Sequence, residues 1–108
     1  MARIVIRNRA ETKWQAVIET KLQVMLGSML AHVSRITVEF DRVVEAREQR
    51  VSYACKVVLV ESSGERYLLA NDQADGNLAI EGAIARARRA ITRLGRARLP
   101  SRWQALAR

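Results

Sequence analysis

The segment DGNLAIEGAIARARRAITRLGRAR, residues 75–98, joins a helix-start signal to an apolar stripe. At about 3.6 residues per turn, five apolar residues lie within about 40° of one line along the helix; they are Ile80, Ile84, Ala87, Ile91 and Leu94. Asp75 is a suitable N-cap, because its carboxylate meets the free N–H groups and the positive end of the helix dipole. Pro100 follows the helix end. The segment predicts a final helix over about residues 76–98 that packs through one face.

The opposite face of this helix is cationic. With Ile80 set at zero, four arginines fall between about 160° and 240° around the axis; they are Arg86, Arg89, Arg93 and Arg96. Arg88 lies on the flank of this row and Arg98 lies beyond it. No acidic residue stands three or four positions from any of them, so repulsion between neighbouring guanidinium groups is not relieved within the helix.

The net charge of the chain is concentrated in this region. Residues 82–108 hold eight arginines and no acidic residue, whereas the other eleven cations are balanced by eleven acids. A field of one sign steers a polyanion towards itself, and guanidinium groups suit phosphate oxygens and unpaired bases. Nucleic acid is the predicted partner. Three alternatives remain open: a solvated arginine face, an acidic protein surface and an anionic membrane, although a membrane favours bulky apolar residues beside the cations.

The preceding residues alternate between strand and helix patterns. Alternation of apolar and polar residues predicts strands at 3–7, 36–41, 51–61 and 66–71. Apolar residues spaced three and four apart predict a helix from about 11 to 32. Gly27-Ser28 is a weak point in the first helix, where its last turn bends or frays. Residues 42–50 fit either a long turn or a flared hairpin end.

The element order β-α-β-β-β-α predicts an α+β fold. A strand–helix–strand start requires a right-handed crossover with parallel strands, and the later strands follow as antiparallel hairpins. Two helices with one apolar stripe each cover one face of a four-stranded mixed sheet and leave the other face wet, which gives a two-layer sandwich. The predicted organisation is one domain over residues 1–98 and a short basic tail over 99–108.

Residue types that carry catalysis are scarce. His32 is the single histidine and has no metal-ligand spacing around it, and Cys55 shares a strand face with Tyr53 and Val57, which predicts a core thiol. Trp14, Met25 and Met29 follow the helical spacing of core residues. We therefore expect a binding protein, without enzymatic activity, cofactor, metal or small-molecule substrate. Trp103 in the tail either stacks on a base or packs against the sheet edge.

Residues 3–98 resemble the ribosome hibernation-promoting factor family, also called ribosome-associated inhibitor or sigma-54 modulation proteins. Asp75-Gly76-Asn77-Leu78-Ala79-Ile80-Glu81 is similar to that family's Asp-x-x-x-Ala-Ile-Asp segment, which opens a final basic helix. The first helix also fits the family's pattern of apolar positions around a lysine, with Trp14, Val17, Ile18, Lys21 and Leu22. The resemblance implies that both helices, Lys21 included, form a surface that docks in the messenger and transfer RNA channel of the small ribosomal subunit.

These observations predict a cytoplasmic protein that binds ribosomal RNA of the small subunit and inhibits translation. The predicted phosphate contacts are Arg86, Arg89, Arg93 and Arg96, with Arg88, Arg98 and Lys21 as further contacts. The alternatives are an adaptor that binds an acidic protein surface and a binder of another structured RNA. A double-stranded-RNA module shares the later β-β-β-α order, but it usually begins with a helix, and the strand at 3–7 speaks against it.

Overall fold

The computed structural model describes residues 2–97, with side chains described for residues 2–94. Its elements are β1 (Arg3–Asn8), α1 (Lys13–Met25), a 3-10 helix (Gly27–His32), β2 (Arg35–Glu45), β3 (Arg50–Val60), β4 (Arg66–Gln73) and α2 (Gly76–Ala97). The predicted order and α+β class are confirmed. The predictions for Arg98, Trp103 and the tail at 99–108 lie outside the described residues, as does the side chain of Arg96.

The four strands form one mixed sheet in the order β1-β2-β3-β4. β1 and β2 are parallel, with Arg3 opposite Arg35, and α1 lies in the crossover between them. β2–β3 and β3–β4 are antiparallel hairpins. This pairing is the predicted one, since a helical crossover joins parallel strands and short turns join antiparallel ones.

The core lies between one face of the sheet and the two helices. Alternate strand residues are buried on that face; they are Ile36, Val38 and Phe40 of β2 and Cys55, Val57 and Leu59 of β3. Trp14, Ile18 and Leu22 of α1 and Ile80, Ile84 and Ile91 of α2 close over them. Burying one such large aliphatic side chain contributes about 1.5–3 kcal/mol, so this layer supplies most of the drive to fold.

The prediction of one helix as far as His32 is wrong. α1 ends at Met25, and Leu26 donates the last helical hydrogen bond, to the Leu22 carbonyl. Gly27 then adopts a φ of +45°, a left-handed conformation that ends the α-helical ladder, and the chain continues as the 3-10 helix. Leu26 and Leu30 nevertheless stay buried, and Met25 and Met29 pack against the core.

The segment 42–50 is a two-stranded ribbon. β2 and β3 remain paired as far as Glu45 opposite Arg50, so the interpretation as a long turn is wrong. β1 ends at Asn8, opposite Phe40, and β4 ends at Gln73, opposite Tyr53, so neither neighbouring strand reaches the ribbon. All nine residues at 42–50 are exposed, because no helix or strand of the described residues covers them.

Two glycines let α2 lie close to its neighbours. A Cβ at Gly76 would stand 2.5 Å from Cη2 of the Trp14 indole, and one at Gly82 would collide with the Asn71 amide. Asn71 uses that amide to donate to the Leu78 and Ala79 carbonyls. Asp75 caps the helix as predicted, since its Oδ1 accepts from the N–H of Asn77 at 2.8 Å. The start of α2 is therefore held by three residues: Trp14 packs against it, Asn71 donates hydrogen bonds to it, and Asp75 caps it.

We expect Gly76→Ala to lower the free energy of unfolding by about 1–3 kcal/mol, because the methyl group overlaps the buried Trp14 ring. Urea denaturation followed by tryptophan fluorescence measures the change. Asn77→Ala, at the next and exposed position, is the matched control and should shift stability by at most about 0.5 kcal/mol. Equal effects of the two substitutions would contradict the tight contact.

Candidate nucleic-acid interface

α2 divides into a buried side and a charged side, as the periodicity predicts. Ile80, Ile84 and Ile91 are at most 1% exposed. The four arginines of α2 with described side chains are all exposed; they are Arg86, Arg88, Arg89 and Arg93. Because the apolar stripe is locked against the sheet, the helix cannot rotate these cations away from solvent.

Carboxylates of the described residues do not neutralise the four arginines of α2 whose side chains are described. The ion pairs in this part of the structure join Arg7 to Glu39, Lys21 to Glu81, Arg42 to Glu11 and Arg50 to Glu48. Glu81 is the acidic residue of α2, and Lys21 binds it. The charge at Arg88, Arg89 and Arg93 therefore faces solvent without a counter-charge among the described residues, which leaves it available to an external anion.

The Arg86 side chain also forms a hydrogen bond within the fold. Its Nη1 donates to the main-chain carbonyl of Ala70, on the edge strand β4. This hydrogen bond ties the first arginine of the row to the sheet and satisfies one carbonyl of the open strand edge. The Arg86 side chain is thus positioned by the fold, whereas the side chains of Arg89 and Arg93 form no hydrogen bond with other described residues.

Lys21 lies apart from the arginines and joins the two helices. Its Nζ contacts the Glu81 carboxylate, and about a third of its side chain is exposed. Glu81 precedes Arg93 by twelve residues, or about 18 Å along the helix axis. The structure therefore gives Lys21 an internal partner, and its contact with nucleic acid stays a prediction.

A shallow groove of about 520 Å³ runs along the outer side of α2 and leads into the arginines. Its floor contains Gly82 and Ala85, and its walls include Asn71 and Gln73 from the end of β4. The small side chain of Ala85 lets a ligand backbone approach the helix, whereas the Asn71 amide already lies against Gly82. Sequence reasoning missed this groove, although positions 78, 82, 85 and 89 share the helical stripe of the arginines.

The remaining candidate residues lie outside this surface. His32 is exposed at the end of the 3-10 helix, and the residues described contain no group of three or more potential metal ligands. Cys55 is buried, and burial raises the pKa of its thiol to about 12. No helix within residues 2–97 is long and apolar enough to cross a membrane.

Comparison with solved structures identifies the fold. The chain superposes on a ribosomal subunit interface protein from Coxiella burnetii with a TM-score of 0.66 and 9% identity, over 86% of this chain and 97% of that one. It also superposes on the N-terminal domain of Protein Y from Thermus thermophilus, with a TM-score of 0.57 and 14% identity, over 87% and 99% of the two chains. The fold implied by the resemblance is confirmed. No family model and no curated protein matches the sequence.

We expect Arg86→Ala to lower the free energy of unfolding by about 1 kcal/mol, because it removes the hydrogen bond to the Ala70 carbonyl. Arg89→Ala, three residues further on the same helix, is the matched control and should change stability by less than about 0.5 kcal/mol. Thermal unfolding of both variants measures the difference. Indistinguishable stabilities would show that Arg86 does not anchor the helix to β4.

We expect the Cys55 thiol to resist labelling by a disulfide reagent at pH 8. With a pKa of about 12, roughly one native molecule in ten thousand holds the reactive thiolate at that pH. Labelling should become rapid in urea, where the thiol regains its ordinary pKa, and the chain has no other cysteine to confuse the readout. Equally fast labelling of native and unfolded protein would show that the thiol is accessible.

Proposed function

We propose that this chain is a divergent member of the ribosome hibernation-promoting factor family, and that it binds ribosomal RNA without catalysing a reaction. The single observation that supports this most strongly is the unneutralised arginine row of α2. It is carried on a fold shared with a ribosomal subunit interface protein and with Protein Y. The fold alone does not define a ligand, so the proposal stands on the arginines.

Arg89 and Arg93 are the central phosphate contacts in this proposal. They stand four residues apart, about 6 Å along the helix axis, and both are exposed. Each guanidinium can bind one phosphate through two parallel hydrogen bonds. Arg86 widens the row on the β4 side, and the groove beside Ala85 receives the adjoining sugar-phosphate backbone.

The rigid backbone of α2 favours RNA binding by this row of arginines. Since the buried isoleucines fix α2 on the sheet, the arginine backbone positions are set before RNA arrives, and little backbone entropy is lost on binding. Arg88 flanks the row, and Arg96 and Arg98 extend it in the proposal. Lys21 can join by exchanging Glu81 for a phosphate.

The site on the ribosome that suits the proposal is the messenger and transfer RNA channel of the small subunit, in the cytoplasm. A domain that occupies this channel excludes messenger and transfer RNA sterically, so binding alone inhibits translation. No bound cofactor or chemical step is required. The inhibitor acts by occupancy, and its effect is reversed when it dissociates.

The test is co-sedimentation of Arg89→Glu/Arg93→Glu with 30S subunits. We expect affinity to fall at least about 100-fold, since the two lost charge-assisted hydrogen bonds contribute about 1.5–3 kcal/mol each. The slope of log K against log salt should also become shallower by about 1.5–2, as two phosphate contacts are lost. Thermal unfolding should be nearly unchanged, because neither side chain has a partner among the described residues.

Arg47→Glu/Arg50→Glu provides the matched control, because it makes the same charge change at the exposed tip of the ribbon. It should bind subunits like the unaltered protein. Wild-type sedimentation of the Arg89/Arg93 variant would contradict the proposal. So would association with ribosomal particles that persists after the RNA is digested by ribonuclease, which would favour the adaptor that binds an acidic protein.

A further inference from the structure

The uncovered face of the sheet carries a second row of arginines. Strand pairing places Arg3 beside Arg35, Arg35 opposite Val60, and Val60 opposite Arg66. Side chains alternate along each strand, and since Ile36 and Leu59 are buried under the helices, their neighbours Arg35 and Val60 face away from them. The row crosses all four strands, and its end Cα atoms stand about 14 Å apart at a strand spacing of about 4.8 Å.

This row has no counter-charge within the described residues. Arg3 and Arg66 are exposed, and neither they nor Arg35 forms an ion pair there. The Nε atom of Arg35 is withdrawn from solvent and has no hydrogen-bond partner. Of the nearby acids, Glu65 accepts from the Tyr67 hydroxyl at 2.7 Å, and Glu61 is buried with an interaction of its own.

Such an arrangement costs stability in the free protein. Like charges directly beside one another on neighbouring strands repel, and a desolvated charged donor without a partner is unfavourable. In another row on the same face an arginine has a carboxylate partner, because Arg7 pairs with Glu39 at 3.3 Å. The Arg3–Arg35–Arg66 row lacks that relief among the described residues, which leaves it available to an anion from outside the chain.

The neighbouring row on the open face is apolar. It consists of Val5, Thr37, Val58 and Leu68, and the Leu68 side chain is 63% exposed. A basic row that borders an apolar row suits an anionic membrane as well as a polymer that is charged along one side and apolar along the other. The polymer is favoured here, because the proposed function already gives the chain an RNA ligand. A nucleic-acid strand has this character, with phosphates on its backbone and bases or sugars beside it.

We infer that the open sheet face is a second RNA-binding surface, so that one chain holds two RNA segments at once. The inference rests on the proposed function, which identifies the polymer as RNA, but the residues that carry it lie outside α2. The two arginine rows lie on opposite sides of a two-layer domain, with the sheet and the core between them. Two separate segments of a folded RNA fit this geometry, and the chain then acts as a clip between them.

The experiment asks whether one chain bridges two RNAs. A single-stranded RNA of about 12 nucleotides is immobilised, the full-length protein is added, and capture of a second, fluorescent copy is measured. The unaltered protein should capture it, with a stoichiometry of two oligonucleotides per chain by titration. Arg3→Glu/Arg66→Glu should bind one oligonucleotide and capture no second one. Arg3→Gln/Arg66→Gln repeats the test without new negative charge, and Arg47→Glu/Arg50→Glu is the control that should bridge normally.

Each result decides the inference. One oligonucleotide per unaltered chain, or undiminished capture by both sheet variants, overturns it and leaves the proposed role of α2 intact. Capture that needs two protein chains, seen as bridging only above the concentration at which the protein self-associates, also overturns it. If Arg89→Glu/Arg93→Glu binds 30S subunits normally while the sheet variants do not, the open face binds RNA, but the α2 proposal fails and bridging through α2 fails with it.

Discussion

The burial of one side of α2 is the constraint on which the rest of the structure depends. Ile80, Ile84 and Ile91 close the core over β3 and β4, and the indole of Trp14 lies against Gly76 at the start of the helix. A helix held in this way has a fixed rotation about its axis. The exposed arginines are consequently a property of the packing, since any rotation that hid them would bring isoleucine into water.

Much of this architecture could be predicted from the sequence, because its signals are local and periodic. The isoleucine stripe, the Asp75 cap and the alternation in β2 and β3 each specify an element and the side it buries. The end of α1 was less predictable, since a glycine marks a weak point but does not reveal whether its φ turns positive. At Gly27 it does, and the helix stops there. The ribbon was also hard to predict, because it forms by strand pairing and residues 42–50 show only a weak strand pattern.

The candidate site was predictable only in part, for a different physical reason. Helical geometry gives the angle of each arginine around α2, but it does not give contacts with other elements. The hydrogen bond from Arg86 to Ala70, the Lys21–Glu81 pair and the groove beside Asn71 all join residues distant in sequence. The arginine row on the sheet depends in the same way on register, which places Arg3, Arg35 and Arg66 side by side across the strands.

The ribbon formed by the ends of β2 and β3 has a consequence for colloidal behaviour. Within residues 2–97 neither of its backbone edges has a neighbouring strand, and Val43 and Val44 are 41% and 57% exposed, so it offers a template for pairing with another molecule. Charged side chains of alternating sign surround the valines; they are Arg42, Glu45, Arg47, Glu48 and Arg50. They make addition of a foreign strand unfavourable, which protects the ribbon against edge-to-edge association with other molecules.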